Sequence, residues 1–177
     1  MIYREAVIKK MNRKSAKKNL FITAPGGYGK TTAAEQWLSF VREAVARLRM
    51  GNEDNNTGVF YKKSICSLLK LVKKEKSAKA AEFMLDTFLE TLKQLPVKNT
   101  RCYLLIDDLQ VIKNNDILNS LSLIVGRLPS YVCLCLVSRS MPPQSLLDTG
   151  LFETLTKDDL LFSQEEVEWL GREKTVS

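Results

Sequence analysis

The chain has 177 residues, 45% of them hydrophobic and 27% charged, with a formal charge of +7. That balance is ordinary for one soluble globular domain. No stretch approaches the roughly 18 to 20 apolar residues of a membrane span. The polar, basic N-terminus lacks the apolar region of a signal peptide, so a cytoplasmic protein with no membrane partner is expected.

The first eighteen residues hold seven bases (Arg4, Lys9, Lys10, Arg13, Lys14, Lys17, Lys18) against one acid, Glu5, which leaves 20 bases and 19 acids elsewhere. A basic run of this kind is a solvated helix face, a rim that attracts polyanions, or a nucleic-acid contact. Leu20 to Thr23 then reads as a short buried strand that ends in a glycine-rich turn. A helix follows over Thr31 to Phe40. Val45 to Met50, with Arg47 and Arg49 alternating against apolar neighbours, reads as an edge strand, and Gly51 to Gly58 as a loop-like insertion. Ser64 to Val72 and Lys76 to Leu95 carry apolar residues at three- and four-residue steps, the stripe of a helix facing a core; Pro96 stops the second of these.

Cys102 to Ile106 and Val132 to Val137 are continuous apolar runs, the pattern of parallel strands covered on both faces. Between them, Asp116 to Leu128 is helical by period. Glu153 to Leu155 forms a last short strand, and Ser163-Gln164-Glu165-Glu166 has the spacing of a capping box opening a further helix. Strands alternating with helices make an α/β fold with a parallel three-layer sheet. The four cysteines include no CxxC pair and the chain has no histidine, so zinc lacks its usual ligands. Cys102, Cys133 and Cys135 lie in apolar runs and read as buried free thiols of a reducing compartment.

Ala24-Pro25-Gly26-Gly27-Tyr28-Gly29-Lys30-Thr31 fits the Walker A pattern with alanine in place of the first glycine, and Thr32 follows it. Glycines let successive backbone N–H groups converge on phosphate without side-chain clash. The helix that begins there points its unpaired N–H groups at the same anion. Lys30 reaches the terminal phosphates, and the Thr31 hydroxyl suits magnesium. Tyr103-Leu104-Leu105-Ile106-Asp107-Asp108 reads as Walker B: Asp107 holds magnesium directly or through water, and Asp108 orients or deprotonates the attacking water. Arg139, closing the next strand, is placed to sense γ-phosphate charge. The catalytic set is thus Lys30, Asp108 and Arg139, and the metal set is Thr31 and Asp107.

The P-loop with Gln36-Trp37 resembles that of MalT-like regulators, the LuxR-type members of the STAND class of signal-transducing ATPases. The likeness continues in Glu53-Asp54-Asn55, Ile106-Asp107-Asp108, Ser138-Arg139 with Pro142-Pro143, and Asp159 to Ser163 with Glu165-Glu166, and it runs from about Arg4 to Trp169. It departs at Leu109-Gln110, where the family often has an aromatic and a histidine. The resemblance implies a P-loop NTPase of the ASCE/STAND type with strand order 5-1-4-3-2. It also implies a slow ATPase that exchanges ADP for ATP and self-associates on meeting a small-molecule or protein inducer, and it puts Arg4 near the adenine. On this reading residues 1–18 are a basic segment packed on or leading into the core, 19–162 are the NTPase domain, and 163–177 begin a truncated helical region. DNA contact then belongs to a C-terminal domain absent from the chain. The alternatives are a STAND or AAA+ ATPase with another output, a pseudo-ATPase that only binds, and a small-molecule P-loop kinase. The kinase reading wants an arginine-rich lid, and no such segment lies between Asp108 and Ser140.

Overall fold

The computed structural model describes residues 3–16, 18–71, 85–95, 101–164 and 166–168. A parallel five-stranded sheet of β1 (Asn19–Thr23), β2 (Ala44–Arg49), β3 (Cys102–Asp107), β4 (Val132–Ser138) and β5 (Phe152–Leu155) runs in the order β2-β3-β4-β1-β5. This is the expected 5-1-4-3-2 order, read from the other edge. β4 pairs with β1 on one side and β3 on the other, and the two weakest strand signals, β2 and β5, are the sheet edges.

Alternation along the strands divides the core into two layers. Leu20, Ile22, Tyr103, Leu105, Cys133, Cys135 and Val137 face α1 (Glu5–Ser15) and α2 (Lys30–Val41), where Val7, Ile8, Met11 and Trp37 are buried. Phe21, Leu104, Ile106, Leu134 and Leu136 face α3 (Thr57–Leu71), α4 (Leu85–Lys93) and α5 (Asn115–Gly126). Helices on both faces explain why the inner strands have no polar alternation. The ring of Trp37, fully buried, meets Tyr103 edge-on at 5.0 Å between centroids, a favoured aromatic geometry. No helix among the described residues is long and apolar enough to cross a membrane.

The basic N-terminal run is largely answered within the fold. Lys9 pairs with Glu5, Lys10 with Asp159, and Lys14 and Lys18 with Glu153. Arg101 finishes the same helix by donating to the Ser15 and Ala16 carbonyls at 2.7 and 2.8 Å, where a cation suits the negative end of the helix dipole.

One expectation is corrected. Residues 51–58 are not a plain loop: Asn52–Asn55 form a 3-10 turn, and α3 starts at Thr57, seven residues before the periodic stretch that marked it. The Asn56 side chain accepts from the Val59 N–H at 3.1 Å, capping the helix, and Phe60 and Tyr61 bury its first turn. Gly58 and the asparagines hid that start. Of the helix expected over Lys76 to Leu95, residues 76–84 lie outside the described residues, as do Val72, Pro96 and Trp169; α4 and Leu95 are the described part.

Candidate functional site

The chain leaves β1 towards one edge of the sheet and leaves its neighbour β4 towards the other, so their carboxyl ends open a crevice where connections diverge. Ligands of open α/β sheets bind in such crevices. The expected phosphate cradle, residues 24–32, fills it. Ala24 is buried at the end of β1, and Gly27 and Gly29 have φ of +85° and +69°, conformations that a side chain would strain. Gly29 is the N-cap of α2, a helix of 12 residues, so the free N–H groups of its first turn lie in the crevice beside Lys30. Tyr28 packs on the α1–α2 layer.

Lys30 is nearly buried and donates to the Pro25 carbonyl at 2.8 Å. Burial, followed by repulsion from Arg139, holds its ammonium below the ordinary lysine range, against the pull of Asp107 and Asp108. The Thr31 hydroxyl donates to Asp107 Oδ2 at 2.9 Å, so the two expected metal ligands are adjacent although 76 positions apart. Thr32 is exposed and lines, with Tyr3, Gln36 and Phe40, a cavity of about 860 Å³ along α2.

Both oxygens of Asp108 are engaged. Gln110 Nε2 donates to Oδ1 and Arg49 Nε to Oδ2, each at 2.8 Å. The Gln110 bond, aided by Arg49 and opposed by desolvation, holds the Asp108 carboxyl below the usual carboxylate range. Asp108 itself sits at φ +56°. Arg139 is exposed, and a Cβ built on Gly26 would come within 3.9 Å of its Nη1, which places the guanidinium over the glycine turn.

Two participants were not singled out from the sequence. In the sequence Gln110 is only a departure from the family pattern and Arg49 only an edge-strand charge; neither carries a signal for its contact with Asp108. Arg4, expected near the adenine, is 4% exposed. Its Nη2 donates to the Leu160 and Leu161 carbonyls at 2.6 and 3.0 Å, its guanidinium stacks 4.3 Å from the Phe162 centroid, and Glu166 lies at 3.4 Å. A Cβ on Gly29 would lie 3.8 Å from Arg4 Nη1, so this arginine does reach the glycine turn.

Residues 12–137 match the family model for the AAA domain. The chain belongs to that family. This AAA domain is a P-loop ATPase domain, and it is similar to the nucleotide-binding domain of MalT-like proteins. It is 27% identical over 175 residues to the HTH-type transcriptional regulator MalT of Vibrio campbellii, covering 93% of this chain and 19% of that protein. For the protein of the same name from Vibrio cholerae the identity is 25% over 149 residues, covering 80% and 16%. The chain thus spans roughly a fifth of the length of the curated relatives it matches. Among solved structures, Aeropyrum pernix ORC1 in complex with DNA superposes with a TM-score of 0.59 at 15% identity, over 98% of this chain and 50% of that one. Cdc6p from Pyrobaculum aerophilum gives 0.57 at 14%, over the same shares. These two likenesses establish the fold alone.

Proposed function

We propose that this AAA domain is the ATP-binding, slowly hydrolysing switch of a MalT-like transcriptional regulator, in which exchange of ADP for ATP controls self-association. The observation that carries the reading is the meeting of Thr31 with Asp107 beneath a glycine turn that also presents Lys30 and the first turn of α2. Residues 24–32 wrap the phosphates, with main-chain N–H groups as donors. Lys30 contacts the terminal phosphates as a point charge. A hydroxyl and a carboxylate side by side are hard oxygen donors of the kind that hold magnesium together with substrate phosphates, so Thr31 and Asp107 fit that ion. Magnesium, when bound, supplies charge neutralisation at the phosphates.

Asp108 orients and accepts a proton from the attacking water, and Arg139 reads the γ-phosphate. The cavity that opens from Thr31 and Thr32 along α2 has room for the nucleoside. DNA is engaged through another region of the longer parent, as the description of the relatives as HTH-type regulators supports, and an inducer of small-molecule or protein nature biases the exchange. The test is to denature the purified protein and identify the nucleotide released, then to titrate the emptied protein with adenine and guanine nucleotides by calorimetry, with and without magnesium. Adenine nucleotide in the supernatant and magnesium-dependent heat support the reading. Silence with every nucleotide would overturn it.

A further inference from the structure

Outside the phosphate cradle, the sharpest unassigned feature is the position of Gln110. It lies on the 3-10 turn Leu109–Val111 that follows β3, and its side-chain amide is used at both ends. Nε2 donates to Asp108 Oδ1 at 2.8 Å, while Oε1 accepts from the Arg139 main-chain N–H at 2.9 Å. These two bonds join the loop after β3 to the loop after β4, two neighbouring strands whose ends flank the crevice. An amide suits the task because it carries a donor and an acceptor in one rigid plane; a carboxylate lacks the donor and an ammonium the acceptor.

The carboxylate that Gln110 meets is held on a special backbone. Asp108 adopts φ +56°, its own N–H donates to Asp107 Oδ1 at 2.8 Å, and Arg49 from β2 holds its second oxygen. A non-glycine residue in the left-handed region persists where surrounding bonds over-determine it, and such positions gather at functional sites. Arg49 Nε approaches from the edge strand with its side chain largely in solvent (80% exposed). Gln110 is partly sheltered and is itself fixed at the far end by the main chain. Of the two donors to Asp108, it is therefore the better ordered.

We infer that Gln110 is a positioning residue that fixes the plane of the Asp108 carboxylate relative to the loop bearing Arg139, so that the two move as one unit. The inference rests on the reading of Asp108 and Arg139 as the water-orienting and γ-phosphate-sensing groups, and it adds the link between them. A displacement of the Arg139 loop when the terminal phosphate is present or absent is passed through one amide to the carboxylate, with no side-chain contact between Arg139 and Asp108 required.

The full chain is tested with two substitutions. Gln110→Met keeps the bulk and removes both bonds; Gln110→Glu keeps the acceptor for Arg139 and removes the donor to Asp108. In the nucleotide-free protein, amide hydrogen exchange at Arg139 is expected to speed up about tenfold or more in the Met variant and to stay near wild type in the Glu variant, since local protection follows the bond that is kept. In single-turnover assays with magnesium and ATP both variants lose about tenfold or more in hydrolysis, within the roughly hundredfold that misplacing a catalytic group costs, while Kd for ADP changes less than about twofold. A space-filling role predicts no change in the Met variant, so unaltered Arg139 exchange together with unaltered hydrolysis would sink the inference. Asp108→Ala, run alongside, separates the two failures. If it hydrolyses at the wild-type rate, the base assignment falls and the catalytic half of this inference falls with it. If it is impaired while Gln110→Met is not, only the role of Gln110 is lost.

Discussion

Thr31 Oγ1 donates to Asp107 Oδ2 at 2.9 Å, bringing the start of α2 and the end of β3 into one pair of oxygens. On the proposed reading of Thr31 and Asp107 as ligands of one magnesium ion, Asp107→Ala is expected to weaken magnesium-dependent ATP binding by tenfold or more, and binding in EDTA by only about twofold. Thr31→Ala should follow the same pattern more weakly, since a hydroxyl is the poorer ligand. Calorimetry with and without magnesium measures both; equal losses in the two conditions would remove the pair from metal binding.

Lys30→Ala removes the cation whose ammonium lies nearly buried against Pro25. A charge-assisted bond of about 1.5 to 3 kcal/mol disappears, so Kd for ATP should rise by roughly ten- to a hundredfold. The melting temperature without nucleotide should change little, because the hydrogen bond that Lys30 makes within the fold goes to a single carbonyl. A large loss of stability would mean that Lys30 is there for the fold.

Arg4→Met tests the contact between the glycine turn and the chain beyond β5. The substitution keeps the stem and leaves two carbonyls and the sheltered Glu166 carboxylate without their cation. Removing one partner of such a cluster should cost about 3 kcal/mol, read as a fall of roughly 6 to 12 °C in melting temperature for a domain of this size. Arg4→Lys should recover part of the loss, lacking only the fork and the stacking on Phe162.

Acid should loosen α1 through its two ion pairs with the β5 region. The Glu153 carboxyl is held below its usual range chiefly by the Lys14 bond. For Asp159 desolvation pushes upward, but the Lys10 bond and the Thr156 N–H prevail and the net shift is down. A carboxylate depressed in the folded state stabilises fully above its unfolded pKa of about 4, and that stabilisation is lost as pH falls through the folded value. Urea midpoints should therefore hold from pH 7 to about 5 and drop below about 4, and Lys14→Gln should flatten the drop. A midpoint independent of pH in both proteins would contradict the assignment.

Thiol chemistry offers a plain check on the core. Cys66 is exposed, whereas burial pushes Cys133 up to about 12 and raises Cys135 and Cys102 above the ordinary thiol range. Since the thiolate is the reacting form, iodoacetamide at pH 8 should modify Cys66 in the native protein and all four cysteines only after denaturation, as mass spectrometry would show.

Much of this architecture was legible because it rests on local patterns. The inner strands β1, β3 and β4 announced themselves as unbroken apolar runs, and the glycine turn as a Walker A pattern. The start of α3 escaped because its signal is a cap, Asn56, inside a stretch of asparagines and glycines. The motif Glu53-Asp54-Asn55 was recognisable but its task was not. Asn55 accepts from the Lys113 and Asn114 N–H groups at 2.6 and 3.2 Å and donates to the Val111 carbonyl at 3.1 Å, tying the turn after β2 to the loop leading into α5. Fully buried Asp54 binds the Gly51 N–H and Lys63. The Asn55 contacts span 56 to 59 positions and leave no periodicity to read. Gln110 likewise meets the Arg139 main chain only when β3 and β4 lie side by side.

Arg4 grips Leu160, Leu161, Phe162 and Glu166 with the same guanidinium that borders Gly29. Mechanically, that makes one side chain a shared bearing for the hairpin of glycines and for the strap of chain beyond β5. That strap therefore has a path of direct contact to the mouth of the crevice that does not cross the sheet.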